Sequence, residues 1–586
     1  MLTIFHLRRN LPVVVGRSSP TSNQFRSSSV FALQSCLISS QSSYQNNTNR
    51  NLFKLIVTAA SGIILTSYSF SETMNESENN NKPTLKKFPI ISSKEVSKHD
   101  GKSKESNGKS WVTVGNNVYD ITEFIQSHPG GSDKIKLASG GPVEPFWSLF
   151  PFHYDLELVQ DILKTLQIGI LDPIDIEKKE KEKLLKSSNE NDKFASDPIR
   201  HPALKLHSSK PCNAEVPDAL LTESYITPAE LFFIRHHHPV PMIKDIKEFR
   251  LKINGEESSI GNKEKIELSM EELAKLPQHE ITATIQCSGN RRSGMNDVKK
   301  TSGSPWVQGA ISTAKWKGPK LIDVLKLLSP YKNNHNSSSS FTQNLINDKN
   351  IEHVIFKGID GMEASIPKYK ALSELGDVIL ATHMNDVPIP AEHGYPLRAI
   401  VPGHVGVRNV KWVHSIVLSK EEAKGDWQRG LNYKVLPPGA LNASGIDISK
   451  LPAMQESSVF SGITHIENNE DNNTIDCHGW AFAGGGRGIA RVDISTDNGK
   501  TWCVSEVNQG HQQKLGQEWA WVFWEANDIP AKASNESNKD GEKEIMVISR
   551  AVDKAYNYQP ENANYIWNMR GLGNNSWYRR TIPIEP

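Results

Sequence analysis

Between Ile176 and Phe194 the chain reads IEKKEKEKLLKSSNENDKF. A run so dense in charge, with one aromatic at its end, offers no apolar surface to a core, so it is either a solvated helix or a flexible linker. The chain must therefore fold as separate units on either side of it. Length points the same way, since 586 residues are about three to four times a typical domain. Hydrophobic residues at 37% and charged residues at 23% exclude a polytopic membrane protein and a wholly disordered one. The charge balance, 67 basic against 66 acidic side chains, lacks the basic surplus of nucleic-acid binders. Five cysteines, at 36, 212, 287, 477 and 503, are odd in number and form no CxxC pair, which excludes a disulfide framework and a zinc knuckle. Each is then buried filler, a specific ligand or a nucleophile.

The near-neutral total conceals an uneven start. Residues 1–71 hold Arg8, Arg9, Arg17, Arg26, Arg50 and Lys54 and no acid, the composition of an organellar transit peptide. In the stretch Leu52–Phe70 the uninterrupted apolar part begins only after Lys54 and is too short for a full membrane span of about 20 residues. It reads either as a marginal signal anchor or as the stop-transfer half of a two-part signal; the second reading puts the mature chain in the mitochondrial intermembrane space. Residues 72–87 are too polar to fold and read as a tether.

Residues 88–171 read as a first compact unit. In SWVTVGNNVYDITEF two alternating strands flank a Gly-Asn-Asn turn, with a helix expected from Thr122. His128-Pro-Gly-Gly follows; proline and paired glycines fold the backbone tightly and leave the imidazole free to point inward. His153 ends the next apolar helix. Two histidines on opposed helices around an aromatic pocket are what axial ligation of a haem iron requires, and with both axial positions filled the iron transfers electrons and does no substrate chemistry. WVTVGNNVYDITEFIQSHPGG resembles the signature of the cytochrome b5 family, and that resemblance makes His128 and His153 the ligands of a haem b.

Beyond the charged segment, 172–196, the chemistry-bearing stretches begin at FFIRHHHPVP. Its three histidines suggest a zinc site only weakly, because Pro239 and Pro241 break helical spacing. In TIQCSGNRRSGM an apolar strand delivers Cys287 to a tight turn followed by Arg291 and Arg292, whose charge favours a thiolate. That suits a nucleophile or a soft-metal ligand, and a buried strand cysteine is the plain alternative. With SPWVQGAISTAKWKG, PAEHGYPLRAIVPGHVGVRNVKW and WQRGLNYK, these segments resemble, in order, the sulfite oxidase family, which also includes the molybdenum domain of assimilatory nitrate reductases. The resemblance implies a molybdopterin-binding catalytic domain over 197–441, Cys287 as the protein thiolate on molybdenum, and His237, His393, Arg398 and Lys411 around the pterin and its phosphate. It implies a substrate pocket of Arg235, Arg292, Trp306, Tyr433 and Arg570. Guanidiniums converging on one cavity repel each other unless a dianion lies between them, which agrees with sulfite. One departure stands out. The family pattern W-Q-x-x-D-Y-K becomes Trp427-Gln-Arg-Gly-Leu-Asn432-Tyr433-Lys434, with one extra residue and Asn in place of Asp.

From 442 to 586 short alternating runs and an Asn498-Gly499 turn predict an immunoglobulin-like β-sandwich, which by the resemblance serves as a dimerisation domain and brings Arg570 to the pocket. Asn-rich tracts at 333–350, 468–474 and 534–544 read as surface loops. The expected fold class is thus multidomain α+β: a cytochrome b5-like haem domain, a mixed α+β molybdenum-cofactor domain and a C-terminal β-sandwich. The resemblance implies a homodimeric mitochondrial enzyme that oxidises sulfite to sulfate at molybdenum and sends electrons singly through haem to cytochrome c. Two rivals are a nitrate reductase-like molybdoenzyme, in which haem would follow molybdenum and a flavin domain would come last, and a non-enzymatic haem carrier with a decayed molybdenum domain.

Overall fold

A computed structural model describes residues 88–185, 192–254, 265–328, 338–531 and 544–583. The leader, the polar tether, part of the charged segment and most of the Asn-rich tract at 534–544 lie outside them. Among the described residues, no helix is long and apolar enough to cross a membrane.

The first unit is built on a five-stranded sheet in the order Ile90–Ile91, Gln167–Leu171, Asn117–Asp120, Trp111–Val114, Gly141–Pro142. Its central hairpin pairs Trp111 with Asp120 and Val114 with Asn117, as the alternating sequence predicts, with Gly115 at φ 56° in the turn. Val112 and Tyr119 from the hairpin join Ile121, Ile125, Ala138 and Val143 in the core. The helix expected from Thr122 does not form; a turn leads to a 3₁₀ segment at Ile125–Ser127. The Thr122 hydroxyl is taken by Asp120 and by the Ser110 amide, so it does not cap a helix, and Pro129 stops any extension. The apolar stretch before His153 divides into two short helices, Glu144–Leu149 and Phe152–Asp155. The charged segment starts as a helix, Pro173–Leu185, tied back to the first unit by Ser93 N–H donating to the Asp175 carboxylate at 2.7 Å.

The middle region carries a five-stranded sheet ordered Lys265–Leu268, Leu251–Asn254, Val413–Ser419, His353–Gly358, Glu363–Pro367. Beside it the long antiparallel pair Gln278–Gln286 and Ile311–Pro319 runs in unbroken register from Gln278↔Pro319 to Gln286↔Ile311. The second of these strands is buried on both faces for most of its length, so its sequence shows little alternation. Part of the Asn-rich tract at 333–350 forms a helix, Ser338–Asn347, where a loop was expected. The tract at 468–474 is the tight connection between strands Val459–Asn469 and Thr474–Ala483, with Asn473 at φ 51°.

The C-terminal region is a sandwich of two four-stranded antiparallel sheets, one ordered Val459–Asn469, Thr474–Ala483, Val522–Pro530, Glu506–Gln509 and the other Cys503–Val504, Ile489–Ser495, Glu544–Asp553, Tyr578–Pro583. The Asn498-Gly499 turn forms with φ 58° and 81°. Trp480, Trp521, Phe482 and Phe523 of this region share one hydrophobic cluster with Cys287, Trp306 and Trp316. Backbone bonds from Thr284 to Trp519 O (3.0 Å) and from Gly573 to Ser288 O (2.7 Å) fasten the C-terminal chain to the strand and turn around Cys287. The first unit rests on the same cluster through Leu137, Phe146, Leu149 and Phe150, with His201 Nε2–H donating to Pro145 O at 2.8 Å and Lys134 paired with Glu223.

Candidate functional site

Two sites emerge. In the first unit, the His128 and His153 rings face each other nearly parallel, 5° apart in plane, with centroids separated by 6.3 Å. Two metal–imidazole bonds of about 2 Å each, plus about 1.1 Å from each bonding nitrogen to its ring centre, span that gap. Each ring has its Nδ1 against a backbone carbonyl, Gly131 O at 3.2 Å for His128 and Phe150 O at 2.9 Å for His153. Both Nε2 atoms are thereby left as the ligating nitrogens. Burial lowers the pKa of His128, which keeps the ring in the neutral form a metal needs. The rings of Phe124, Trp147, Phe150 and Phe152 surround the pair. A Cβ on Gly130 would sit 2.8 Å from the His128 ring, which is why the tight turn needs glycine there. His128 lies at the end of the 3₁₀ segment and His153 on a four-residue helix, so the two do not sit on long opposed helices. The residues fit a bis-histidine haem.

The second site grows from the end of strand Gln278–Gln286. Cys287 N–H donates to Ala310 O at 2.9 Å and Asn290 N–H closes the turn on Cys287 O at 2.9 Å. The Asn290 side chain accepts from Ala310 N–H (3.1 Å) and donates to Gln308 O (3.1 Å), pinning the loop to its neighbour. Gly289 N–H points at Cys287 Sγ, 3.4 Å away. Cys287 lines a cavity together with Arg235, His237, His393, Arg398, Lys411 and Tyr433 among others. Arg291 and Arg292 part company here. Arg291 takes φ 63°, and its guanidinium leaves the cavity for Trp577 O (3.1 Å) and Ser461 O (3.4 Å). Only Arg292 comes near the sulfur, so the expectation that both arginines act on Cys287 holds for one.

One end of the cavity is lined by buried cations. Arg398 donates to His393 O at 3.0 Å and Lys411 to Glu392 O at 3.1 Å. Burial pushes Arg398 down to about 9 and, with Arg398 beside it, holds Lys411 well below its ordinary range. Burial brings His393 down to about 3; its Nε2–H is spent on Ala229 O at 2.8 Å. Among the described residues neither Arg398 nor Lys411 has a carboxylate ion-pair partner. Cations taken out of water without a counter-charge are costly, and an anionic group such as a phosphate satisfies them. The donor set therefore fits a phosphate-bearing cofactor near a cysteine sulfur.

At the other end the cavity is lined by Arg235 and Tyr433, while Arg292 and Arg570 stand behind that lining; Arg235 reaches Asn213 Oδ1 at 3.1 Å and the carbonyl of His236. Arg292 donates to Arg570 O (3.0 Å) and Ser304 O (2.7 Å). Three glycines cradle it: a Cβ at Gly289, Gly303 or Gly571 would stand 2.5, 2.8 or 2.5 Å from an Arg292 side-chain atom. Arg570 donates to Ser302 Oγ (2.8 Å) and Asn432 Oδ1 (2.9 Å). Burial lowers Arg292 and Arg570; the Cys287 sulfur opposes this at Arg292 and the Tyr433 phenol at Arg570. Tyr433 is buried in the 3₁₀ turn Leu431–Tyr433, and burial raises its pKa. Trp427 Nε1–H donates to His237 Nδ1 at 2.9 Å. Burial and then Arg235 push His237 down to about 2, so the neutral ring carries its proton on Nε2, 3.4 Å from the Tyr433 oxygen. With its oxygen accepting there, the Tyr433 hydroxyl keeps its own hydrogen for another acceptor.

Trp306 is buried against His207 and gives its carbonyl to Ser293 N–H at 3.1 Å; it does not line the cavity. The triple histidine splits three ways: His236 to Glu392 O, His237 to Trp427 and His238 toward Asp360. Sequence reasoning passed over Arg408, fully buried, bonded to Gln428 and to Met454 O, with its guanidinium 5.9 Å from the Tyr433 ring centre. Its position inside PGHVGVRNV was the only signal.

Residues 92–172 match the cytochrome b5-like haem/steroid binding domain, 237–427 the oxidoreductase molybdopterin binding domain and 454–585 the Mo-co oxidoreductase dimerisation domain. The mitochondrial sulfite oxidase of Homo sapiens is 39% identical over 485 residues, covering 81% of this chain and 82% of that one. For the sulfite oxidase of Gallus gallus the figures are 38% over 501 residues, 84% and 99%. A nitrate reductase [NADH] of Phaseolus vulgaris is 32% identical, over 64% of this chain and 41% of that one.

Proposed function

The chain belongs to the sulfite oxidase family, and from that premise we propose that it oxidises sulfite to sulfate, taking one oxygen from water and releasing two protons and two electrons. The observation that carries this reading is the arrangement around Cys287: Arg398 and Lys411, without ion-pair partners among the described residues, line one end of the cavity, and Arg235 and Tyr433 line the other, with Arg292 and Arg570 close enough behind them to feel the Cys287 sulfur, the Tyr433 phenol and the Arg235 charge. A molybdenum–pyranopterin group supplies oxygen-atom transfer and a two-electron sink when bound, and a haem supplies a one-electron relay.

The chain's own residues do the rest. Cys287 offers its sulfur to the metal, in a turn held by Asn290. Arg398 and Lys411 neutralise the cofactor phosphate, with His237 and His393 beside them. Arg235, Arg292 and Arg570 bind and orient the sulfite dianion, each held by bonds to neutral groups so that its positive charge stays uncompensated. Tyr433, its oxygen fixed by His237, donates its hydroxyl hydrogen to the bound oxyanion. Trp306 supports the loop carrying Arg292 from behind and does not touch substrate. His128 and His153 hold the haem, and cytochrome c is the one-electron acceptor that the family likeness supports. Two copies pair through the region 442–586, and the acid-free leader sends the chain to the mitochondrial intermembrane space. The nitrate reductase reading has less support, because that relative is 32% identical over 64% of this chain against 39% over 81% for the sulfite oxidase of Homo sapiens.

Purified protein with measured molybdenum and haem should reduce cytochrome c on addition of sulfite. Cys287→Ser should abolish this while leaving the haem absorption spectrum intact, because an alkoxide is a poor soft-metal ligand. Near-normal turnover in that variant would sink the reading.

A further inference from the structure

The departure at Asn432 has a structural correlate. Asn432 is one of the two side chains that hold the Arg570 guanidinium, accepting from its Nη2 at 2.9 Å beside Ser302 on Nη1, at the position before the tyrosine where the family pattern has an aspartate. A carboxylate there would pair with Arg570 and cancel its charge locally. The amide holds the same guanidinium and cancels nothing. Among the described residues no carboxylate forms an ion pair with Arg235, Arg292 or Arg570, and the groups acting on Arg570 are Tyr433 and Arg235. The Nε of Arg570 is buried without a hydrogen-bond partner, so part of this guanidinium is left for an anion.

We propose that Asn432 is a specificity-determining position: by orienting Arg570 through a neutral bond, it leaves three guanidiniums uncompensated and makes the pocket bind doubly charged sulfur oxyanions tightly, the tetrahedral product sulfate as well as pyramidal sulfite. This rests on the sulfite oxidase reading and deepens it. Its cost is retention of product, so the enzyme is held back by sulfate at concentrations that a carboxylate-bearing pocket ignores.

The test compares the holoenzyme with Asn432→Asp and Asn432→Leu. The aspartate adds a negative charge at unchanged shape, and a full charge this close to a bound dianion should raise both KM for sulfite and the inhibition constant for sulfate about 10-fold, with kcat altered less than about twofold. The leucine removes the bond but leaves the charge balance alone, so its sulfate inhibition constant should stay within about threefold of the wild-type value. Calorimetric titration with sodium sulfate reads the same affinities without turnover. Equal sulfate affinity in wild type and Asn432→Asp overturns the proposal. So does an equal loss in both variants, which makes Asn432 a positioning residue for Arg570 and nothing more. If sulfite is not oxidised at all but sulfate binding still falls 10-fold in Asn432→Asp, the oxyanion pocket stands and the sulfite reading falls.

Discussion

Gly571 gives the sharpest test of how Arg292 is held. It sits at φ +58°, and a Cβ there would lie 2.5 Å from Arg292 Cγ and 2.8 Å from its Nε. Gly571→Ala therefore has two consequences. The left-handed backbone costs about 1–2 kcal/mol for a residue with a Cβ, and the contact drives Arg292 off its perch, where its Nε now bonds Arg570 O at 3.0 Å. A charge-assisted bond to substrate is worth about 1.5–3 kcal/mol, so misplacing this guanidinium should lower kcat/KM for sulfite about 10- to 100-fold. Gly445→Ala is the control: its φ is +75° and no atom lies within 4 Å of its Cβ position, so it bears the backbone cost alone. Both variants should lose thermal stability, Gly571→Ala more than the control because of its added contact, and only Gly571→Ala should lose activity, measured with a small artificial acceptor that bypasses the haem. Equal kcat/KM in the two would refute the claim that the glycine cradle positions Arg292.

His153→Ala should open an axial position on the haem and cut sulfite-driven reduction of cytochrome c sharply, yet spare reduction of a small acceptor that reaches the molybdenum site directly; equal loss with both would contradict the division of labour between the two sites. Stability should depend on acid. Burial pushes His393 and His404 each down to about 3, so the folded state keeps them neutral while the unfolded chain protonates below about 6.5. Stability is therefore full above that value and falls as pH drops toward 3, by about 1.5 kcal/mol per histidine between pH 6.5 and 5. The urea midpoint should fall over that interval, and fall less in His404→Gln; a midpoint flat with pH would show that these rings are not held neutral.

How far these sites could be read from the chain depended on sequence distance. The hairpin Trp111–Asp120 and the strand leading into Cys287 were legible because alternation and turn residues are local signals. The helix Ser338–Asn347 was not, since serine and asparagine are poor helix formers and only tertiary packing decides for them. Arg291 and Arg292 look equivalent in sequence. The left-handed φ of Arg291 turns one side chain toward Trp577 and leaves the other by Cys287. That the chain returns after roughly 280 residues to place Arg570 O on Arg292 is a long-range contact that no local pattern encodes. The shared cluster around Trp480, Trp521 and Trp316 is invisible for the same reason.

Arg398 and Lys411 also bear on the life of the chain before it is an enzyme. Folded without their anion, they are buried positive charges whose hydrogen bonds go to carbonyl oxygens and not to a carboxylate, and the native state is weakened accordingly. A phosphate-bearing cofactor that binds only the folded form stabilises it by mass action, about 4 kcal/mol at a thousandfold excess over the dissociation constant. Cofactor supply then sets how much of the chain escapes cellular proteolysis, so that scarcity of the cofactor depletes the polypeptide itself as well as silencing it.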